Sequence, residues 1–257
     1  MTDGIDLRVW QAETLRLTAF LAEPLDVSRL AWWQSIVGEP PEMRTLRPRQ
    51  DRLEESGKVG NGVCSLSLDC NPKRIDWLLT PSIAEDRELS EFPSCGAFPD
   101  ALELFRGLLM PWLPECPRTR RLAFGAVLLH PVDSLEAGYR WLSTLLPSIR
   151  LDPGASSDFS YSINRPRELK TDAGTVGINR LSRWSAVKLS GILLNVSDGI
   201  ALPEPRAFGR DLLSCRLEID INTAPTFEGD FFGAGAATMT SKLIDIGCEL
   251  ASRGDVP

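Results

Sequence analysis

The sequence predicts an α+β protein of two tandem ferredoxin-like modules, each of order β-α-β-β-α-β, with a mostly antiparallel sheet and helices on one face. Three observations predict this fold. Residues 14–129 give strand, helix, two strands, helix and strand, and residues 120–253 give strand, helix, three strands and helix. Several segments alternate apolar and polar residues, which is typical of antiparallel strands with one solvated face. The modules are residues 1–116 and 117–257, or together one fused compact unit.

The N-terminal module begins with a strand at 14–22, where apolar residues alternate with polar ones before the pattern becomes wholly apolar. Asp26 is then placed to cap a helix that ends at Gly38. The apolar stripe of this helix consists of Val27, Leu30, Trp33 and Val37. Residues 39–58 are rich in Pro, Arg and Glu without clear periodicity, so we predict a solvated connection there.

The rest of this module contains two strands, a loop, a helix and a buried strand. The strands lie around 63–68 and 75–79, and Asn71-Pro72 provides turn chemistry between them. Residues 81–97 are predicted to be a loop. A helix begins near Pro99, with apolar residues at helical spacing, and Pro111 and Pro114 end it. Residues 120–129, RRLAFGAVLL, have the composition of a buried strand.

The C-terminal module opens with the sequence Asp133-Ser-Leu-Glu136, which is typical of a reciprocal helix N-cap, and Pro147 ends the helix. Residues 157–163 alternate as a strand. The next strand, 176–190, changes its apolar parity, which predicts a bulge near 180–183. A Pro/Gly-rich loop at 197–211 precedes a final alternating strand, CRLEIDIN. The last helix carries Met239, Leu243, Ile246 and Leu250 on one stripe.

Composition restricts the possible compartments and partners. The formal net charge of −7 disfavours non-specific attraction to nucleic acid or to an anionic membrane. No apolar run is long enough to span a membrane, and the acidic first residues do not form a secretory signal. The six cysteines include no C-x-x-C pair, so we predict reduced thiols and a cytoplasmic location.

Motifs for nucleophilic, zinc or phosphate chemistry are weak or absent. The single histidine, His130, excludes sites that need two, and no G-x-S-x-G elbow accompanies it. The segment GAGAATMTSK at 233–242 has Thr238 where a dinucleotide-binding loop needs its third glycine. Close packing of a helix on a sheet explains these small residues better. We therefore assign no catalytic residue, no metal site and no cofactor.

Several short segments carry a resemblance to a known group of proteins. They are KRIDWLL, FPDALELF, RRLAFGAVLL, INRLSRWS and RLEIDINT. In this succession the chain resembles a widespread, functionally uncharacterised bacterial family of similar length. The resemblance covers most of the chain and implies a bacterial cytosolic protein, but it implies no activity and no catalytic residue.

Carboxylates support an alternative function as an enzyme. Glu218 and Asp220 project from one face of a strand, and Asp69 and Asp76 flank the turn of an earlier hairpin. Acids in similar places hold Mg²⁺ in ferredoxin-like enzymes of phosphoryl transfer. The alternative is therefore a metal-dependent phosphoryl- or nucleotidyl-transfer enzyme that uses these four residues. The same alternation is expected of any strand with a solvated face, and this interpretation is favoured.

A basic hairpin at 163–188 is the predicted contact surface. It has six basic and two acidic residues, and it repeats Ile-Asn-Arg at 163–165 and 178–180. Arginine binds carboxylates and phosphates, and nearby aromatic rings stack on bases. The predicted binding residues are Tyr161, Asn164, Arg165, Arg167, Asn179, Arg180, Arg183 and Trp184. An Arg-rich edge that only prevents sheet-to-sheet association would show the same pattern.

These patterns favour a non-enzymatic, cytosolic binding or accessory protein. Its predicted partner is a protein, nucleic acid is a second possibility through the basic hairpin, and a membrane is not expected. An oligomer is a further possibility, in which the face around Trp32 and Trp33 is buried against another copy.

Overall fold

The computed structural model describes residues 4–82, 91–171, 174–189 and 211–255, and the backbone of 192–197 and 200–207. The strands are β1 Gln11–Leu21, β2 Met43–Arg47, β3 Arg52–Val59, β4 Cys64–Asn71, β5 Arg74–Pro81, β6 Thr119–Val132, β7 Ser160–Asn164, β8 Arg167–Thr171, β9 Gly174–Leu189, β10 Ile192–Ser197, β11 Ile200–Ala207 and β12 Leu212–Thr223. The α-helices are α1 Trp32–Val37, α2 Phe98–Leu109, α3 Leu135–Leu145 and α4 Gly233–Arg253.

One antiparallel sheet of ten strands runs through both halves of the chain. Its order is β2-β3-β4-β5-β1-β6-β12-β9-β7, and β8 also pairs with β9. The chain is therefore α+β, but the predicted tandem ferredoxin-like modules are wrong. A second module of order β-α-β-β-α-β would have a helix before its last strand, whereas the described residues between β9 and β12 form β10 and β11. In the N-terminal half, β2 and β3 extend the sheet beyond β4, which a ferredoxin-like module does not do. The two halves meet where β1 pairs with β6. In each half the last strand pairs with the first: β5 pairs with β1, and β12 pairs with β6.

The helices pack against one face of this sheet. Gly247 of α4 is close to Phe124 of β6 and Ile219 of β12, because a Cβ at this glycine would lie within 4 Å of both. Trp33 of α1 packs near Trp77 of β5, with ring centroids 6.3 Å apart. Alternate residues of the central strands are accordingly buried on this side, which we call the helix face. The opposite face of the sheet, which these helices leave uncovered, is called the open face.

The N-terminal half differs from the prediction at two places. Asp26 does cap a turn, but it is a 3-10 turn, and α1 begins only at Trp32. Residues 39–58 are not a loop, because they contain β2 and β3. In β3 the buried positions are Leu53, Glu55, Gly57 and Val59. A carboxylate and a glycine on the buried side removed the apolar alternation that would have indicated a strand.

The C-terminal half differs in a similar way. β9 pairs with β12 in one continuous register from Leu189 to Ile178, so the predicted bulge is wrong. The apolar parity changes because Arg180 and Ser182 occupy buried positions, while Leu181 points to the open face. The predicted loop at 197–211 contains β11. Ser134, not Asp133, caps α3 by accepting a hydrogen bond from the Ala137 amide at 3.1 Å.

Candidate functional site

The open face carries polar side chains from both halves of the sheet. In its N-terminal part, arginine and carboxylate pairs connect neighbouring strands. Arg52 donates to Asp69 at 2.7 Å, and Asp69 is the direct cross-strand partner of Asp76. Asp76 in turn accepts hydrogen bonds from Arg74 at 2.8 Å and from the Thr18 hydroxyl at 2.6 Å. Two carboxylates that face each other are thus each neutralised by an arginine.

In the C-terminal part an amide ladder replaces the ion pairs. Asn164 on β7 donates to Asn179 on β9 at 3.1 Å, and Asn179 donates to Asn222 on β12 at 3.0 Å. Asn222 donates to Asp220 at 2.9 Å and accepts from Arg121 at 3.3 Å. The two asparagines of the repeated Ile-Asn-Arg motif therefore connect three strands across the open face.

An aromatic ring lies between two guanidinium groups at one end of the open face. The Phe20 ring centroid is 5.4 Å from the Arg74 guanidinium carbon and 5.0 Å from that of Arg121. Both arginines are direct cross-strand neighbours of Phe20. Cation–π contacts of this kind are attractive and leave the outer N–H donors of the arginines available for other partners.

A trough with a volume of about 330 Å³ lies at the centre of the open face, where β1, β6, β12 and β9 are adjacent. Apolar side chains of Leu78, Val127 and Leu181 contribute to its lining, and Gly125 adds no side chain. A Cβ at Gly125 would lie 3.4 Å from Nε of Arg16, so the Arg16 side chain lies over β6 at this point. The glycine therefore keeps the trough open and makes room for an arginine on its wall.

Charged groups surround this apolar lining. Arg16 makes a long ion pair with Asp220, with 3.7 Å between Nη2 and Oδ2, and its buried Nε has no hydrogen-bond partner. Arg183 on β9 lines the trough and forms no ion pair with the described residues. Its cross-strand neighbour Glu218 pairs instead with Arg216. The trough thus combines an apolar lining with two arginines that have unused donors.

The four carboxylates proposed for metal binding all lie on the open face, but they do not converge. Asp69 and Asp76 are on β4 and β5, and Glu218 and Asp220 are on β12, across β1 and β6. Each has an arginine partner. In the described part of the chain, no three His, Cys, Asp or Glu residues form a group that could hold a metal.

The eight predicted binding residues are divided between the two faces of the sheet. Asn164, Asn179 and Arg183 point to the open face, as their register positions opposite Leu181, Asn222 and Glu218 require. The other five lie on the helix face; they are Tyr161, Arg165, Arg167, Arg180 and Trp184. Trp184 is fully buried, and its indole donates to the Ser182 hydroxyl at 3.0 Å. The predicted residues therefore do not form a single surface.

On the helix face, two of the predicted arginines hold the end of α4 and the residues after it. Asp255, which is 4% exposed, accepts from Tyr161 at 2.7 Å, from Ser148 at 2.9 Å and from Arg165. Arg167 pairs with Glu249 at 2.8 Å. Hydrogen bonds from these arginines are the main cause that lowers the pKa of Asp255 and of Glu249.

Other residues singled out in the sequence have structural partners. His130 Nδ1 lies 3.0 Å from the Val9 carbonyl oxygen, and its ring stacks on Trp141 at 4.0 Å. Trp33 is buried, and Trp32 contacts Trp112 at 5.5 Å between centroids, so both tryptophans pack within the chain. All six cysteines are free thiols.

Sequence reasoning singled out Arg183, Glu218 and Asp220, which line the trough, but it missed the other residues that form it. Arg16, Gly125 and Leu181 lie on three strands, and only the strand order brings them together. The apolar Leu181, on an otherwise polar side of β9, is a sequence signal for the trough. The pattern instead predicts a bulge, because Arg180 and Ser182 are polar residues at buried positions.

No protein-family model, curated protein or solved structure matches this chain. The resemblance to an uncharacterised bacterial family therefore stays a prediction. None of the helices in the described residues is long and apolar enough to cross a membrane.

Proposed function

We propose that this chain is a non-enzymatic, cytoplasmic binding protein whose open face contacts a partner protein. The trough is the observation that carries the proposal. Its lining is apolar at Leu78, Val127 and Leu181, and its rim is charged at Arg16 and Arg183. An apolar centre with a polar rim is the usual anatomy of a protein interface, and a large side chain inserted in such a centre supplies much of the binding energy.

The charge pattern of the open face favours a protein over a nucleic acid. Most of its arginines are already paired with carboxylates, and such a mixed surface repels phosphates as much as it attracts them. The net charge of −7 also disfavours a nucleic acid as the partner. The paired carboxylates also give no support to the alternative of a metal-dependent enzyme, because a cation would first have to displace an arginine. The six free thiols support a cytoplasmic location.

A photo-crosslinking residue at Leu181 should capture a partner in the native host, whereas the same residue at Leu135 should not. Leu181 and Leu135 are both 37% exposed, so they form a matched pair. Leu181 lines the trough, and Leu135 begins α3 on the helix side of the sheet. Denaturing gels followed by mass spectrometry detect and identify the adduct.

The adduct supports the proposal only if its yield falls when a residue beside the trough is changed. Arg183→Glu, on the same face, should reduce its yield about tenfold, and Arg140→Glu on α3 should leave it unchanged. Equal adducts from both crosslinker positions, or insensitivity to Arg183→Glu, would contradict an interface on the open face. An adduct removed by nuclease would identify nucleic acid as the partner and refute the choice of a protein.

A further inference from the structure

Arg180 is a buried arginine whose guanidinium has no partner among the described residues. It lies in the middle of β9 on the helix face, opposite Ile221 of β12, and is 3% exposed. Its carbonyl oxygen accepts the Arg165 amide at 3.2 Å, which places Arg165 beside it on the next strand. In the described part of the chain the guanidinium makes no hydrogen bond and no ion pair, and its Nε is fully enclosed.

Among the described residues, the charges around Arg180 are not balanced. Arg165 and Arg167 point to the same face from β7–β8, so three guanidinium groups face two carboxylates, Asp255 and Glu249. Asp255 is already bonded to Arg165, and Glu249 to Arg167. Burial is the main cause that lowers the pKa of Arg180, and Arg167 lowers it further. Like charges on directly opposed strands destabilise a sheet unless a counter-charge is present.

We propose that Arg180 binds a small oxyanion, a carboxylate or phosphate group, between Arg165 and Arg167. A buried guanidinium without an anion is strongly unfavourable, and its planar fork of donors matches the oxygens of these groups. The Arg165 and Arg167 side chains are 27% and 33% exposed, so the rim of the site is open to solvent. The site lies on the face opposite the trough, and the proposal of an anion site does not depend on the proposed protein interface.

Thermal unfolding of the full chain tests this site with free ions as probes. At constant ionic strength, chloride is replaced by inorganic phosphate in one series and by acetate in another. At ten times the dissociation constant, the bound ion should raise the Tm of the wild type by about 3 °C. Arg140→Met, which removes the same charge at an exposed position on α3, should keep the rise, and Arg180→Met should lose it.

The two probes also identify the chemistry of the ligand. A rise in phosphate alone indicates a phosphate group, and a rise in acetate indicates a carboxylate. If neither ion raises the wild-type Tm above that in chloride, or if Arg180→Met responds as the wild type does, the proposal is refuted. If Arg180→Met does not fold, Arg180→Lys replaces it. This variant keeps the charge without the fork and should show at most half of the wild-type rise.

Discussion

Asp255→Ala is expected to lower the free energy of unfolding by about 3 kcal/mol, because it removes a buried carboxylate that accepts several hydrogen bonds, one of them from an arginine. Asp255 is 4% exposed and accepts hydrogen bonds from Arg165, Tyr161 and Ser148. Its backbone amide also donates to the Leu145 carbonyl at 2.9 Å, so this residue joins the end of α4 to the end of α3. Urea denaturation at pH 7 measures the loss.

Two control variants separate charge from shape. Asp255→Asn keeps the size and one acceptor oxygen of the side chain, so it should lose less than Asp255→Ala, about 1–2 kcal/mol. Glu136→Ala removes an exposed i,i+4 pair with Arg140 and should change stability by less than about 0.5 kcal/mol. A loss from Asp255→Ala no larger than that of Glu136→Ala would contradict the proposed importance of this ion pair.

The loss should also depend on pH in a defined direction. The pKa of Asp255 in the folded chain lies below its ordinary value of 3.8, so the unfolded chain takes up the proton first. The contribution is therefore complete above about pH 4 and disappears as the pH falls through the folded pKa. The difference in stability between wild type and Asp255→Asn should be constant from pH 7 to 5 and should shrink below pH 4.

Regular alternation and helical stripes were sufficient to predict much of the secondary structure. β1, β4, β5, β6 and β12 were recognised, as were α2, α3 and α4. The sheet order was not accessible in this way, because it depends on which strands pair over long distances. The pairing of β1 with β6 connects residues that are 98 to 118 positions apart, from Leu21 with Thr119 to Gln11 with Leu129, and no local pattern encodes it.

The predicted binding residues show a similar limit. The repeated Ile-Asn-Arg motif marked β7 and β9 correctly, but alternation sends its asparagines to the open face and its arginines to the helix face. A prediction from composition alone places all basic residues of such a segment on one surface. The positions of Asp255 and Glu249, which pair with two of the arginines, could not be anticipated because they follow from the packing of α4.

Glu55 explains why β3 was missed, and it is the basis of the second large effect. Its side chain is fully buried, and Arg44 of the edge strand β2 donates to Oε1 at 2.8 Å, while Oε2 has no partner. Burial is the main cause that raises the pKa of Glu55, and Arg44 lowers it. One solvent-accessible arginine therefore compensates a buried carboxylate.

Arg44→Met is expected to lower the free energy of unfolding by about 3 kcal/mol at pH 7.5, because it leaves Glu55 buried and unpaired. Glu55→Met should be close to neutral or stabilising, since the cost of burying the charge disappears with the charge. The double variant Arg44→Met/Glu55→Met should therefore regain most of the stability that Arg44→Met loses. Urea denaturation of the wild type and the three variants gives the coupling energy.

Acid should rescue Arg44→Met, in contrast to its effect on the Asp255 contribution. A carboxyl whose pKa is raised above its ordinary value of 4.5 binds its proton more tightly in the folded chain, so stability increases as the pH falls through the folded pKa. Removing Arg44 raises this pKa further, and the loss at pH 5 should be smaller than at pH 7.5. An equal loss at both pH values, or a double variant no more stable than Arg44→Met, would show that the arginine acts through packing instead of charge.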